Sequence, residues 1–432
     1  MAFLEELSWR GLLHQVTHRD ELARHLETPG RVGYSGFDPT SDSLHIGNLV
    51  PITLLRHFQR AGHTPIVVMG GGTGMIGDPS GRDEERQLMS RERIQANIES
   101  QRTIFERLLD FSPGISNRAT IVNNAGWLEP LKFLEVLRDV GKHFSVNEMI
   151  QRESVKTRLT EREHGISYTE FSYMLLQAYD FLHLRRTADC TVQLAGSDQF
   201  GNIVSGIDLI RREFGAQEGQ AFGVTAPLVG RSDGKKMSKS EGTAIWMSAN
   251  TEARTSPYAF YQFWINLPDA DVIQWLKWYT MLDRATIDEL THQHSGAPQE
   301  RAAQRALAQH MTDLVHGETE RQRVEAATAA LFAGDVRSLD EPMLREVFAE
   351  VPHSTHPRNA LEGEGTPLVD VLRQTSLASS KREAREFLQN GAVAVNGEKA
   401  PADRSLSTRD LLHGKTILLR RGKKHWHATK WE

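Results

Sequence analysis

Between Arg31 and Leu55 the spacing of apolar side chains changes once. Val32, Tyr34 and Phe37 lie in a short run bounded by glycines, Asp38-Pro39-Thr40 interrupts it, and Leu44 to Leu55 recur three and four apart. A short apolar run suits a strand, whereas three-to-four spacing draws one stripe along a helix. The segment therefore predicts a strand, a polar loop and a helix. The same unit recurs. Thr64–Met69 is rich in β-branched residues, as in a strand buried on both faces, and a glycine-rich loop follows it from Gly70 to Gly81. Thr191–Leu194 reads as a third strand, ends in the polar loop Ala195–Asn202 and passes into a helix; Phe222–Leu228 reads as a fourth. Strands that alternate with helices and end in polar loops predict an α/β fold with a doubly wound, Rossmann-like parallel sheet. Such sheets bind ligands at the carboxyl ends of their strands.

Elsewhere the pattern is mostly helical. Residues 1–30 predict one or two helices, Arg82–Leu109 another, Leu131–Leu137 and Phe144–Ile150 shorter ones, and Ile166–Asp180 a longer one. After the aromatic stretch SPYAFYQFWINLPD, Val272–Phe332 is almost continuously helical in period. Residues 333–366 lack a strong period. In the last part, Leu368–Arg373 and Ser379–Asn390 read as helices, Asn390-Gly391 and Asn396-Gly397 flank Ala392–Val395 as hairpin signals, and a basic strand runs from Thr416. The expected organisation is a parallel-sheet domain over residues 1–245, an all-α domain over 246–335, a linker over 336–366 and a small α+β domain over 367–432.

Composition adds two constraints. A chain of 432 residues with 39% hydrophobic and 25% charged residues predicts two or three globular domains. Without a long apolar run or a basic, apolar leader it predicts a cytoplasmic protein that does not enter a membrane. The single cysteine, Cys190, excludes an intramolecular disulfide and a cysteine-rich metal site. The net charge of −5 is unevenly spread: residues 367–432 hold 13 Lys+Arg against 7 Asp+Glu, leaving 38 against 49 in the rest. A basic tail on an acidic body suits a polyanion such as nucleic acid.

Several stretches carry candidate chemistry. His45-Ile46-Gly47-Asn48 falls where the first helix begins, and a helix start offers unpaired N–H groups and partial positive charge to a phosphate. An isolated H-x-G, however, is more often only a helix start. Five glycines within Gly70–Gly77 allow close approach to the backbone, and Asp78 at their edge suits a cation or ammonium group. Tyr173, Gln177 and Asp180 are spaced i, i+4, i+7, so they share one helix face; that face is either a solvated stripe or a set of partners for a polar ligand. Lysines three apart, Lys236 and Lys239, flank serine in a loop rich in glycine.

HIGN about 190 residues before Lys236-Met237-Ser238-Lys239-Ser240 resembles the HIGH and KMSKS pair of class I aminoacyl-tRNA synthetases. The stretches GYSGFDPTSDSLHIGN, GGTGMIGDPSG, GKHFSVN, ISYTEFSYMLLQAYDF, GSDQFGNI and TSPYAFYQFWIN extend the likeness to the bacterial tyrosyl-tRNA synthetases. The tail is similar to the RNA-binding domain of a small-subunit ribosomal protein of the S-four type. Two positions depart: Asn48 stands where histidine is usual, and Phe200 where tryptophan is common. Asparagine keeps an N–H donor for a ribose but loses a titratable ring.

The resemblance implies that tyrosine's carboxylate attacks the α-phosphate of ATP and that the tyrosyl group then passes to the 3′ end of tRNA(Tyr). The attacking group is already an anion, so the site must supply position and positive charge rather than a base. It further implies that Thr40, His45, Lys236, Lys239, Arg82 and Arg86 serve the ATP phosphates. Tyr34 and Asp180 would hold the substrate phenol, Asp78, Tyr173 and Gln177 its ammonium group, and Gln199 its carboxylate. Asp38, Gly47, Asn48, Asp198 and Lys239 would line the nucleotide. Lys381, Arg382 and Arg385 on one helix, and Arg420, Arg421, Lys423 and Lys424 on the last strand, are the expected tRNA contacts. ATP with Mg²⁺ is expected as a substrate complex, with no resident metal or tightly bound cofactor. A homodimer is expected, with its interface around residues 125–165. The rivals are a tryptophanyl or other adenylyl-transferring relative and a non-catalytic RNA-binding relative.

Overall fold

The computed structural model describes residues 2–78, 89–151, 155, 166–230, 244–349, 351–422 and 425–432. The chain divides into two units, Met1–Thr255 with Gln262–Val315, and Ser256–Tyr261 with His316–Glu432.

The first unit is built on six strands: β1 (Gln15–Val16), β2 (Val32–Phe37), β3 (Thr64–Met69), β4 (Thr120–Asn123), β5 (Cys190–Gly196) and β6 (Phe222–Ala226). Their order across the sheet is β1-β6-β5-β2-β3-β4, and only β1 runs antiparallel to its neighbour. From β2 the chain moves outward one way through β3 and β4, then returns to the other side of β2 with β5 and β6. The direction reverses between β2 and β5, so their carboxyl ends diverge into a crevice. The helices that bear on the site include α1 (Phe3–Arg10), α2 (Leu49–Arg60, from β2 to β3), α3 (Arg91–Leu108, from β3 to β4), α4 (Tyr168–Ala188, before β5) and α5 (Phe200–Glu218, from β5 to β6).

Helix α2 is buried around most of its girth, Leu49, Ile52, Leu54, Leu55 and Phe58 among its core residues. One side lies on the sheet, so closely that a Cβ on Gly33 of β2 would come within 2.8 Å of the Phe58 ring. The other side is covered by α1 and the helix Asp269–Tyr279. The buried Arg10 guanidinium binds these parts together. It donates to the carbonyls of Lys277 (3.0 Å), Thr280 (2.8 Å) and Leu282 (2.6 Å) and to Glu6 (2.7 Å). Carbonyls at the end of a helix have no intrahelical donor, and a buried arginine satisfies several at once. The helical region expected as its own domain over 246–335 is therefore divided: Gln262–Val315 belongs with the sheet. Among the described residues no helix is long and apolar enough to cross a membrane.

The second unit contains a five-stranded sheet, ordered β10-β9-β12-β13-β7, and a two-stranded ribbon of β8 (Thr366–Pro367) and β11 (Ser405–Leu406). β9 (Val393–Val395) turns into β10 (Glu398–Lys399) through Asn396 and Gly397, both at positive φ (48° and 89°), as a two-residue hairpin turn of the primed kind requires. β12 (Thr416–Arg421) and β13 (His425–Trp431) form the antiparallel centre. The expected linker is corrected here: its residues form the helix Glu341–Val347 and β7 (His353–His356), which pairs parallel with β13. Side chains seal that pairing. The Ser376 N–H donates to His427 Nδ1 at 3.2 Å, which leaves Nε2 protonated, 3.0 Å from Ser354 Oγ; Ser354 Oγ in turn lies 2.7 Å from His356 Nε2. Such a strand is specified by partners far along the chain, so local periodicity does not reveal it.

Candidate active site

At the switch point a cleft of about 680 Å³ opens between the ends of β2 and β5. β2 brings Tyr34 to its floor and passes into the loop with Asp38, Thr40 and His45. Helix α4 contributes Tyr173, Gln177 and Asp180 from one face, and the loop after β5 adds Asp198 and Gln199. The described lining residues include four aspartates, Asp38, Asp78, Asp180 and Asp198, but no lysine or arginine. An acidic cleft of this kind favours a ligand with an ammonium group.

Polar partners from the protein hold most of these groups. Thr73 Oγ1 donates to Asp38 Oδ1 at 2.8 Å, and Tyr173 Oη donates to Asp38 Oδ2 at 3.1 Å. Asp180 is buried and accepts from Asn124 Nδ2 (3.0 Å) and Trp127 Nε1 (2.7 Å). Burial nevertheless raises its carboxyl to about 7, because two neutral donors offset only part of the lost hydration. Burial also raises Asp198 and, aided by Asp180, the Tyr34 phenol. The Tyr34 hydroxyl is buried and has no hydrogen-bond partner among the described residues. An orphaned hydroxyl beside a buried carboxylate is costly unless a ligand completes the pair.

The turn at Ile46–Asn48 precedes α2 directly. Gly47 N–H donates to His45 Nδ1 at 3.1 Å, so the neutral ring carries its proton on Nε2. A Cβ on Gly47 would lie 2.8 Å from that ring, so the flat group that glycine admits is the chain's own imidazole. Asn48 Oδ1 accepts from His45 N–H at 3.0 Å, closing the turn. Likewise a Cβ on Gly70 would fall 2.2 Å from Asp38 Oδ1, so that glycine makes room for a site carboxylate. The loop before α2 is tied to a later segment: Met247 N–H donates to Leu44 O (2.8 Å), Ile46 N–H to Ile245 O (2.9 Å), and Glu252 N–H to Asp42 Oδ2 (2.7 Å). That segment follows Lys236-Met237-Ser238-Lys239-Ser240, which lies outside the described residues.

Comparison with known families decides the identity. Residues 29–333 match the profile of the class I tRNA synthetases (W and Y), and residues 344–429 match the tyrosine–tRNA ligase SYY-like C-terminal domain. The chain is 47% identical to the tyrosine–tRNA ligase of Rhodopirellula baltica, over 99% of this chain and 96% of that one. It is 47% identical to that of Bacillus caldotenax over the full length of both. The chain belongs to the tyrosine–tRNA ligases. Among solved structures, the C-terminally truncated mitochondrial tyrosyl-tRNA synthetase of Aspergillus nidulans superposes with a TM-score of 0.67 at 32% identity. That match covers 77% of this chain and 94% of that one.

Against this family's expected site, Tyr34, Asp38, Thr40, His45, Gly47, Asn48, Asp78, Tyr173, Gln177, Asp180, Asp198 and Gln199 all line one cleft. Arg82, Arg86, Lys236, Lys239, Lys423 and Lys424 lie outside the described residues. Both N–H bonds of Gln199 are engaged at rest, with Asp78 (2.7 Å) and Asp198 (3.2 Å). A substrate carboxylate must displace one of these. In the second unit, Arg420 and Arg421 end β12, the penultimate strand rather than the last. Arg421 donates to Leu377 O at 2.7 Å and stacks over Phe387, and Arg420 lies over Trp426. Lys381 pairs with Asp370 at 2.6 Å, while Arg382 and Arg385 are exposed on their helix. Sequence reasoning missed Asn124, Trp127, Thr73 and Asn202. Asn202 Nδ2 bridges Gln177 Oε1 (2.9 Å) and Gln199 Oε1 (3.1 Å). A usable signal was the pair Asn123-Asn124 directly after a short β-branched run, since strand carboxyl ends face the ligand.

Proposed function

We propose that this tyrosine–tRNA ligase joins L-tyrosine to ATP to form tyrosyl-adenylate and pyrophosphate, then passes the tyrosyl group to the 3′ ribose of tRNA(Tyr), with the residues of this cleft in the following roles. The observation that carries the reading is the buried Tyr34 hydroxyl, without a partner among the described residues, beside Asp180. The substrate phenol donates to the Asp180 carboxylate and accepts from Tyr34, so the Tyr34 hydroxyl gains a partner and Asp180 a third donor. Tyr173 Oη, Gln177 Oε1 and Asp78 each keep a lone pair for the ammonium group. The carboxylate then faces the loop with Thr40 and His45, whose Nε2–H and hydroxyl donate to the triphosphate as negative charge builds on it. Asn48, its oxygen used within the turn, offers its amide N–H to the ribose, and Asp198 takes the ribose hydroxyls.

The cleft's described lining is acidic, so the positive charge for the triphosphate falls to Arg82, Arg86, Lys236 and Lys239 and to Mg²⁺ carried in with ATP. Arg382 and Arg385 contact tRNA phosphates. Arg421 acts mainly within its own unit, and Lys381 must leave Asp370 to bind RNA. A homodimer is supported by six large apolar side chains exposed between Phe133 and Tyr168: Phe133, Leu134, Leu137, Val146, Ile150 and Tyr168. The decisive experiment is ATP–pyrophosphate exchange with each of the twenty amino acids. Exchange with tyrosine alone is expected; exchange with tryptophan, or none, refutes the reading.

A further inference from the structure

Helix α3 takes no part in the roles above, yet its buried face, otherwise lined by Ile94, Ile98, Ile104, Phe105 and Leu108, carries two amides. Asn97 and Gln101 are buried (0% and 1% exposed). With Ser100 they occupy i, i+3 and i+4 positions, which share one helix face. All three donate to one loop. Asn97 Nδ2 reaches Pro39 O at 2.8 Å, Gln101 Nε2 reaches Ser41 O at 2.7 Å, and Ser100 Oγ reaches Asp42 O at 2.6 Å. The two amides thus hold the carbonyls immediately before and after Thr40, and Thr40 N–H donates to Asp38 O at 2.8 Å in a turn centred on Pro39.

These amides are a poor choice for stability alone. Asn97 Oδ1 and Gln101 Oε1 are buried without a partner among the described residues. A buried orphan acceptor costs free energy, so each amide supplies its donor at the expense of its oxygen. Three donors spent on one short loop fix its backbone more tightly than packing would. The loop carries the hydroxyl that must meet a phosphate within hydrogen-bond distance.

We propose that Asn97, Gln101 and Ser100 are positioning residues for Thr40 in adenylate formation. Gln101 also borders the cleft, but all three act by fixing the loop's backbone. The inference rests on the role given to Thr40 above. It is tested with the full-length variants Gln101→Met, Asn97→Leu and Ser100→Ala, each alone and combined with Thr40→Ala. Tyrosine dissociation constants and single-turnover rates of tyrosyl-adenylate formation are measured for all. In the native background each amide variant should slow adenylate formation by about 10- to 100-fold, as misplacement on the order of an ångström does, while tyrosine affinity stays within about twofold. In the Thr40→Ala background the same substitutions should change the rate by less than about twofold, because the group they position is gone.

Equal slowing in both backgrounds, or none in the native one, overturns the proposal, since a purely structural role does not depend on the Thr40 hydroxyl. If Thr40→Ala alone leaves the rate unchanged, the role of Thr40 fails first and the positioning role with it. Should one amide variant not fold, the other and Ser100→Ala read the same cycle.

Discussion

Replacing Tyr34 with phenylalanine should move stability and affinity in opposite directions. In the empty protein the Tyr34 hydroxyl is buried without a partner among the described residues. Leaving such a group unsatisfied costs about 1–3 kcal/mol, so its removal should stabilise the first unit, by about 1 kcal/mol once partial relaxation is allowed for. The ring itself stays, and its edge-on contact with Phe181 (centroids 5.3 Å apart) is kept. With tyrosine bound, the same hydroxyl makes a neutral hydrogen bond worth about 0.5–1.5 kcal/mol, so affinity should fall about two- to tenfold. Phenylalanine leaves the Tyr34 hydroxyl as unpartnered as it is in the empty protein, so the loss on substitution falls on tyrosine alone. Selectivity should therefore fall by the same roughly two- to tenfold; that a site built for a substrate hydroxyl rejects the analogue lacking it is a rule for which this enzyme family is itself the standing example. The assays are thermal unfolding of the free enzyme and kcat/KM for pyrophosphate exchange with each amino acid. A less stable variant would mean that the hydroxyl has a native partner, and unchanged selectivity would mean that it does not meet the phenol.

Three further outcomes are expected. Asp180 titrates near 7 in the empty protein, and the phenol needs its ionised form, so the tyrosine dissociation constant should rise about tenfold per pH unit below that value; pH-independent binding contradicts this. Because this folded value lies above the ordinary carboxylate value, the same group stabilises the empty protein at acid pH and ceases to as pH rises towards 7. Removing residues 351–432 should leave tyrosine-dependent exchange and abolish tRNA charging, whereas removing 367–432 strands β7 without β13 and should give an aggregating protein; equal loss of both activities in the first truncation is the refuting result. Burial, helped by His356, lowers His427 to about 4, below its ordinary 6.5. Its contribution to the second unit is therefore present above 6.5 and lost as pH falls towards 4, so amide exchange in β7 and β13 should accelerate over that range; flat protection factors speak against it.

Much of the first unit was open to reading from the sequence. β2 and β3 run over the residues their apolar spacing predicts, because strands buried on both faces show as short runs bounded by turn residues. The one-faced spacing of Tyr173, Gln177 and Asp180 is a property of any helix, and so survived into the structure. The HIGN and KMSKS stretches named the chemistry before any coordinate did. Tertiary structure decided what those residues are paired with. Asp180 meets Asn124 and Trp127, 56 and 53 positions away, and no local pattern encodes such a pair. β4 is four residues long and only half-buried, and β7 is polar, so each exists because a distant strand supplies its ladder. The glycines after β3 were legible as room for something. Only the folded chain shows that at Gly70 the occupant is Asp38, one of the site's own carboxylates. Sequence set the composition of each element and the list of reactive groups. Packing chose their partners, because burial costs and hydrogen-bond geometry are settled between segments far apart in the chain.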